Sequence, residues 1–138
     1  MVFEAEGLDE HDYLNHVGTI AATASPINFH CRYAMLGADE GEDTAYVFLV
    51  PDEGNSAISL LHDRLYTGVL ISKMRLDLKY IPHITIGRCS DRLDAKALCD
   101  SLNMQGVSIA GKIDELTVAA VDRDKVEKLR SFKLGAGS

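Results

Sequence analysis

Tyr80-Ile81-Pro82-His83-Ile84-Thr85-Ile86-Gly87-Arg88-Cys89 is the stretch from which the rest of the chain is best read. As a strand it places His83, Thr85 and Gly87 on one face and Ile84 and Ile86 on the other, because side chains alternate with a period of two. One face is chemical and the other apolar. Pro82 lacks an N–H and biases Ile81 toward extended backbone, which suits a strand entrance or edge and disfavours helix. A histidine and a hydroxyl two residues apart can both address one anion, the imidazole exchanging a proton and the hydroxyl donating to a non-bridging oxygen. Gly87 would leave room on that face for a ligand to approach. On its own, a His-x-Thr tripeptide is more often the ordinary polar face of a half-buried strand, so the chemical reading needs support from the remainder of the sequence.

The composition narrows the field. With 138 residues, 46% hydrophobic and 25% charged, the chain suits one domain with a real core. Fourteen Lys and Arg against 21 Asp and Glu give a formal charge of −7, which argues against an electrostatic grip on duplex DNA or RNA. A small phosphorylated ligand or the end of one RNA strand is compatible with it. Cys31, Cys89 and Cys99 are odd in number and have no paired short spacing, so neither a disulfide framework nor a zinc knuckle is suggested and a reducing, cytoplasmic location is expected. No apolar run approaches a membrane span and the N-terminus lacks a basic-then-apolar signal pattern, so no membrane partner is expected. No Walker loop, glycine-rich dinucleotide fingerprint or HExxH is present, and no cofactor or metal is implied.

Local patterns order the elements. Met1 to Ala5 reads as the tail of a strand. Leu8 to about Ala22 reads as a helix capped by Asp9, with Leu14, Val17, Ile20 and Ala21 on one face and His11 and His16 in solvent. Ser25-Pro26 breaks it. Ile27 to Leu36 then alternates, with Ile27, Phe29, Cys31, Tyr33 and Met35 on one face and Asn28, His30 and Arg32 on the other. His30 beside Arg32 would make a phosphate-facing pair, with a plain solvent-exposed strand face as the alternative. An acidic turn from Gly37 to Asp43 leads into the apolar strand Thr44 to Val50, its hairpin partner. Asn55 or Ser56 starts a second helix with Ile58, Leu61, Leu65 and Val69 inward and His62 beside the core stripe. Lys73, Arg75 and Lys79 are the chain's concentration of positive charge and precede the His83 strand. Ser90-Asp91 opens a third helix carrying Leu93, Ala97, Leu98 and Leu102, and Gly106 ends it. Val107 to Ala110, Ile113 to Val121 and Leu129 to Leu134 read as strands, with Asp122-Arg123-Asp124-Lys125 as a turn and Gly135 to Ser138 frayed. Helices mixed with hairpin-like strand pairs predict an α+β fold built on antiparallel sheets.

Within that order, Leu60-Leu61-His62-Asp63-Arg64-Leu65-Tyr66-Thr67-Gly68 followed by Ile81-Pro82-His83-Ile84-Thr85-Ile86-Gly87 resembles the C-terminal half of the 2H phosphoesterases, in particular the bacterial 2′-5′ RNA ligase-like branch. Val47-Phe48-Leu49-Val50-Pro51, Gly111-Lys112-Ile113-Asp114-Glu115-Leu116 and Phe132-Lys133-Leu134-Gly135 extend the likeness over nearly the whole chain. The resemblance implies a bilobal sandwich of antiparallel sheets with flanking helices. It also implies that each lobe gives one His-x-Thr/Ser motif to a shared phosphate site, one histidine acting as general base and the other as general acid, with no metal required. Imidazole suits both tasks because it titrates near working pH.

Only the second motif, His83-Ile84-Thr85, is present; His16-Val17-Gly18-Thr19 has the wrong spacing and falls in a helix. The family pattern would place the first motif just before Met1-Val2-Phe3. The expectation is therefore a single 2H phosphoesterase-like domain over residues 1 to 138 that lacks the start of its N-terminal lobe, either lost or excluded by a late start codon. His83 and Thr85 are the expected catalytic residues, and His30, Arg32 and Gly87 the expected substrate-binding ones. Three functions are open: an enzyme acting on a 2′,3′-cyclic phosphate or 2′-5′ linkage of RNA or a small nucleotide, a phosphate-binding module that keeps half the site without turnover, and an interaction domain with incidental histidines. A symmetric homodimer pairing two His83 sites would complete the first of these.

Overall fold

The computed structural model describes residues 1–38, 43–122 and 125–135. The chain runs α1 (Glu10–Thr23), β1 (Ile27–Ala38), β2 (Ala45–Glu53), α2 (Asn55–Leu65), a 3₁₀ segment (Gly68–Lys73), β3 (Ile84–Cys89), α3 (Arg92–Gln105), β4 (Ile109–Ile113), β5 (Glu115–Asp122) and β6 (Lys125–Lys133). This is the expected order, a mixed α/β fold of antiparallel strand pairs with flanking helices. It departs at the N-terminus, where Met1 to Ala5 forms no strand. The Val2 carbonyl accepts a hydrogen bond from the Tyr66 hydroxyl (2.6 Å) instead of joining a ladder, and Phe3 packs edge-on against Tyr13. The chain divides into two compact units, one of Met1–Ile27, Ala57–Tyr80 and Lys112–Ser138, the other of Asn28–Ser56 and Ile81–Gly111.

The second unit carries the His-x-Thr motif. Its four-stranded sheet has the order β3-β2-β1-β4, with β1–β2 and β2–β3 both antiparallel. Ala45, Val47 and Leu49 alternate inward from β2 and meet Cys31 and Ala34 of β1 and Ala95 and Cys99 of α3. The sheet thus has one face covered by α3 and one open face. Burial pushes the Cys31 and Cys99 thiols above their ordinary range, and all three cysteines are free.

Helix α3 begins where the Asp91 carboxylate accepts from the Leu93 N–H (2.7 Å) and ends at Gly106, whose φ of 81° only glycine adopts readily. Asp91→Ala should lower stability by about 1 kcal/mol, measured as a shift in urea unfolding, because an orphan helix N–H loses its acceptor. The buried stripe of α3 differs from the expected one. Ala95 and Cys99 face the sheet, while Leu93 is 78% exposed and Leu98 lies outward. Small residues at i and i+4 let the helix sit close on the sheet, and Leu102 of the expected stripe packs against the same core.

The alternation of β1 is likewise interrupted. Register shifts fall on both sides of Cys31, leaving Arg32 as an extra residue on β1 and Asp52 as an extra residue on β2. The shift puts Ala34 in the core in place of Tyr33, which is 54% exposed. The acidic turn expected between β1 and β2 includes residues 39–42, outside the described residues.

In the first unit, Asp9 caps α1 by accepting from the Asp12 N–H (3.2 Å), and the helix buries Tyr13, Val17 and Ala21. His16 is not a solvated residue: its Nε2–H donates to the Leu65 carbonyl (3.0 Å) from a half-buried position. Helix α2 stops at Leu65, and the 3₁₀ segment after it buries Leu70 where Val69 was expected. The β5–β6 hairpin pairs from Glu115 opposite Lys133 to Asp122 opposite Lys125. Arg123 and Asp124 of the expected turn, and residues 136–138 of the expected frayed end, lie outside the described residues. A cavity of about 290 Å³ lies within this unit, walled by Val17, Leu65, Leu70, Leu116 and Val118. His62 also lines it, its ring stacked on Tyr80 at 3.8 Å.

Candidate active site

Tyr80 to His83 approaches the sheet as irregular backbone with Pro82 buried, and the ladder begins at Ile84. His83 is held by two contacts. Its Nδ1 lies 2.6 Å from the Ile81 carbonyl oxygen, which can only accept, so Nδ1 carries the proton and the neutral ring presents its lone pair at Nε2. Its ring also stacks on Phe48, with centroids 4.0 Å apart and planes at 29°. Phe48 lies opposite Thr85 in the β2–β3 ladder, so the hydroxyl and the imidazole share the open face of the sheet. Both residues are exposed.

Gly87 falls elsewhere. The register steps from Phe48 opposite Thr85 to Val47 opposite Gly87, leaving Ile86 as a bulge. Because Val47 points into the core, Gly87 belongs to the α3 side of the strand rather than to the face of Thr85. A Cβ built at Gly87 would meet nothing within 4 Å. The expected apolar face of this strand is also less covered than its sequence suggests: Ile84 and Ile86 are 41% and 46% exposed, because β3 is an edge strand.

His30 and Arg32 do come together, in a polar chain of their own. The Arg32 Nη1 donates to Asp52 Oδ2 (2.6 Å) and its Nη2 to His30 Nδ1 (2.8 Å). A guanidinium only donates, so His30 Nδ1 accepts and Nε2–H donates to the Ser108 hydroxyl at 2.7 Å. Both imidazole nitrogens of His30 are thereby engaged. Asp52 and Ser108 complete this chain, and neither is singled out by the sequence; the signal for Asp52 is that it and Arg32 are the extra residues at two successive register shifts, which appears only in the pairing. Arg32 and the N–H of Glu53 hold the Asp52 carboxyl below its ordinary range, so it keeps its charge to lower pH than a free carboxylate does. Along β2, Asp52 is four residues from Phe48, about 13 Å at ~3.3 Å per residue. Among the described residues no hydrogen bond or ion pair joins His83 to His30 or Arg32.

The basic run before the motif is largely occupied in the first unit. Arg75 forms a fork on Asp77 at 2.9 and 2.7 Å, and Lys73 donates to the Glu6 carbonyl at 2.6 Å. Among the described residues no group of three or more His, Cys, Asp and Glu side chains is arranged to hold a metal ion, and no helix is long and apolar enough to cross a membrane.

Antiparallel sheets flanked by helices, with an exposed His-x-Thr pair where a strand enters its sheet, define a 2H phosphoesterase-type fold. Comparison with known families agrees: the model of the 2′-5′ RNA ligase superfamily matches residues 2–125, and the chain belongs to that superfamily. It is also similar to a protein of Geobacillus sp. (strain WCH70) named as a phosphoesterase, with 32% identity over 71 residues. That alignment covers 51% of this chain and 40% of the relative's length.

Proposed function

We propose that the protein acts on a phosphate of RNA or of a small nucleotide, the reacting group being a 2′,3′-cyclic phosphate or a 2′-5′ phosphodiester. The observation that carries this reading is the Nδ1–H bond from His83 to the Ile81 carbonyl, which leaves Nε2 as the proton-exchanging nitrogen on the sheet face that Thr85 shares. In hydrolysis of a cyclic phosphate, water attacks phosphorus and gives up a proton, while the bond to one ribose oxygen breaks and that oxygen takes a proton. Nε2 of neutral His83 can accept the first; protonated, it can supply the second. Thr85 donates to a non-bridging oxygen.

One imidazole cannot do both in the same step, so a second acid/base group belongs to the proposal. The engagement of both His30 nitrogens and the length of β2 between Phe48 and Asp52 make His30 and Arg32 the weaker source. A first His-x-Thr segment preceding Phe3, or the His83 of a second copy in a homodimer, fits the chemistry better. The free cysteines accord with a cytoplasmic setting.

A second reading, a phosphate-binding module without turnover, is favoured by the same isolation of His83. Hydrolysis of adenosine 2′,3′-cyclic phosphate by this chain, by His83→Ala and by a version extended upstream in the genomic reading frame separates the two. Turnover lost in His83→Ala supports the enzyme, and turnover seen in the extended version alone supports an upstream first motif. Binding of the cyclic phosphate with no turnover in any version would sink the enzyme reading and leave the module.

A further inference from the structure

The direction of the His83 imidazole is not set by the sheet, because the residue stands one position before β3. The hydrogen bond to Ile81 fixes one ring nitrogen and leaves the ring able to hinge about it. The stack on Phe48 removes that freedom. Phe48 in turn depends on Gly37. Gly37 pairs with Tyr46, which makes it the diagonal neighbour of Phe48 across β1 and β2. A Cβ at position 37 would lie 2.0 Å from Phe48 Cε2 and 2.3 Å from Cζ. Gly37 is not among the glycines with positive φ, so the position requires glycine for space and not for torsion. The Phe48 ring occupies that space, with Tyr46 stacked on it at 5.9 Å and 10°.

We propose that Phe48, seated on Gly37, is a positioning residue that holds the His83 imidazole in its working orientation. The inference rests on the reading of His83 as an acid/base group. A displaced imidazole loses proton-transfer geometry before it loses substrate affinity, so the effect belongs in kcat more than in KM. The competing account is that Phe48 only covers the open face of the sheet with apolar surface, a task leucine performs as well.

The test compares Phe48→Leu, Phe48→Tyr, Gly37→Ala and His83→Ala. The first readout is the ligand-free NMR signal of the His83 Cε1–H, assigned by its loss in His83→Ala. Stacking shifts this signal upfield through the ring current of Phe48. The upfield shift should vanish in Phe48→Leu and in Gly37→Ala, which evicts the ring without altering either partner, and should persist in Phe48→Tyr. The second readout is hydrolysis of adenosine 2′,3′-cyclic phosphate by the active form of the protein: kcat should fall about tenfold or more in Phe48→Leu with KM within about twofold, and Phe48→Tyr should restore it. An unchanged His83 signal in Phe48→Leu overturns the proposal, as does a full kcat in an enzyme that His83→Ala inactivates. If His83→Ala does not reduce turnover, the acid/base reading fails, and the NMR comparison still decides whether Phe48 orients the ring. Should Gly37→Ala fail to fold, Phe48→Leu carries both readouts.

Discussion

His83→Ala should lower kcat for a nucleoside 2′,3′-cyclic phosphate by about 10²- to 10⁴-fold, the range that removal of a positioned general acid or base produces. Its fold should survive. His83 is exposed and sits outside the β3 ladder, so stability should change by no more than about 1 kcal/mol. Steady-state hydrolysis alongside urea unfolding separates the two quantities. Thr85→Ala should cost less in kcat than His83→Ala, because a hydroxyl that donates to a non-bridging oxygen stabilises charge without moving the proton on which bond cleavage depends. Equal activity in His83→Ala and the parent would remove the chemistry assigned to this strand.

The second large effect is on stability. Leu49 is among the largest fully buried side chains, at 2% exposed, and packs on the α3 side of the central strand whose other face carries Phe48. Leu49→Ala should destabilise the protein by about 2–5 kcal/mol, the transfer free energy of the lost methyl and methylene groups plus the cavity they leave. Equilibrium urea unfolding measures it. Against the ~5–15 kcal/mol that keeps an ordinary domain folded, that loss is large enough to lower the amount of native protein in cells. Activity per folded molecule should stay near the parent value, since the substitution lies on the core side of β2.

Much of the architecture is legible in the sequence because its signals are local. Asp9 and Asp91 announce helix starts, and Gly106 announces a stop. Errors gather where tertiary packing overrides periodicity. Leu93 and Leu98 of α3 belong to a plausible stripe, yet the helix seats on Ala95 and Cys99 because close approach to a sheet rewards small residues. Tyr33 and Ala34 exchange places because a bulge is set by two strands together and one strand's alternation cannot reveal it. The same limit governs the site. His83 and Thr85 share a face as their spacing predicts, whereas the Ile86 bulge turns Gly87 away. The pairing of Arg32 with Asp52 joins residues 20 positions apart, a distance over which no local pattern in sequence speaks. Phe48 reads in the sequence as one apolar residue in a run, and only the register with Gly37 gives it a reason to lie against the imidazole.

The way the two units share the chain also bears on how the protein is made. The backbone passes from one unit to the other after Ile27, Ser56, Tyr80 and Gly111, so neither unit is a single uninterrupted stretch of chain. Synthesis nevertheless imposes an order. Every segment of the His83-bearing unit exists once Gly111 has been added, whereas the other unit waits for Lys112–Ser138 and its β5–β6 hairpin. A chain cut back to residue 113 would therefore hold all four strands of the sheet on which Phe48 and His83 meet, while Val17, Leu65 and Leu70 would lack the strands that pack against them. Those apolar side chains are the surface that chaperones would be expected to meet first.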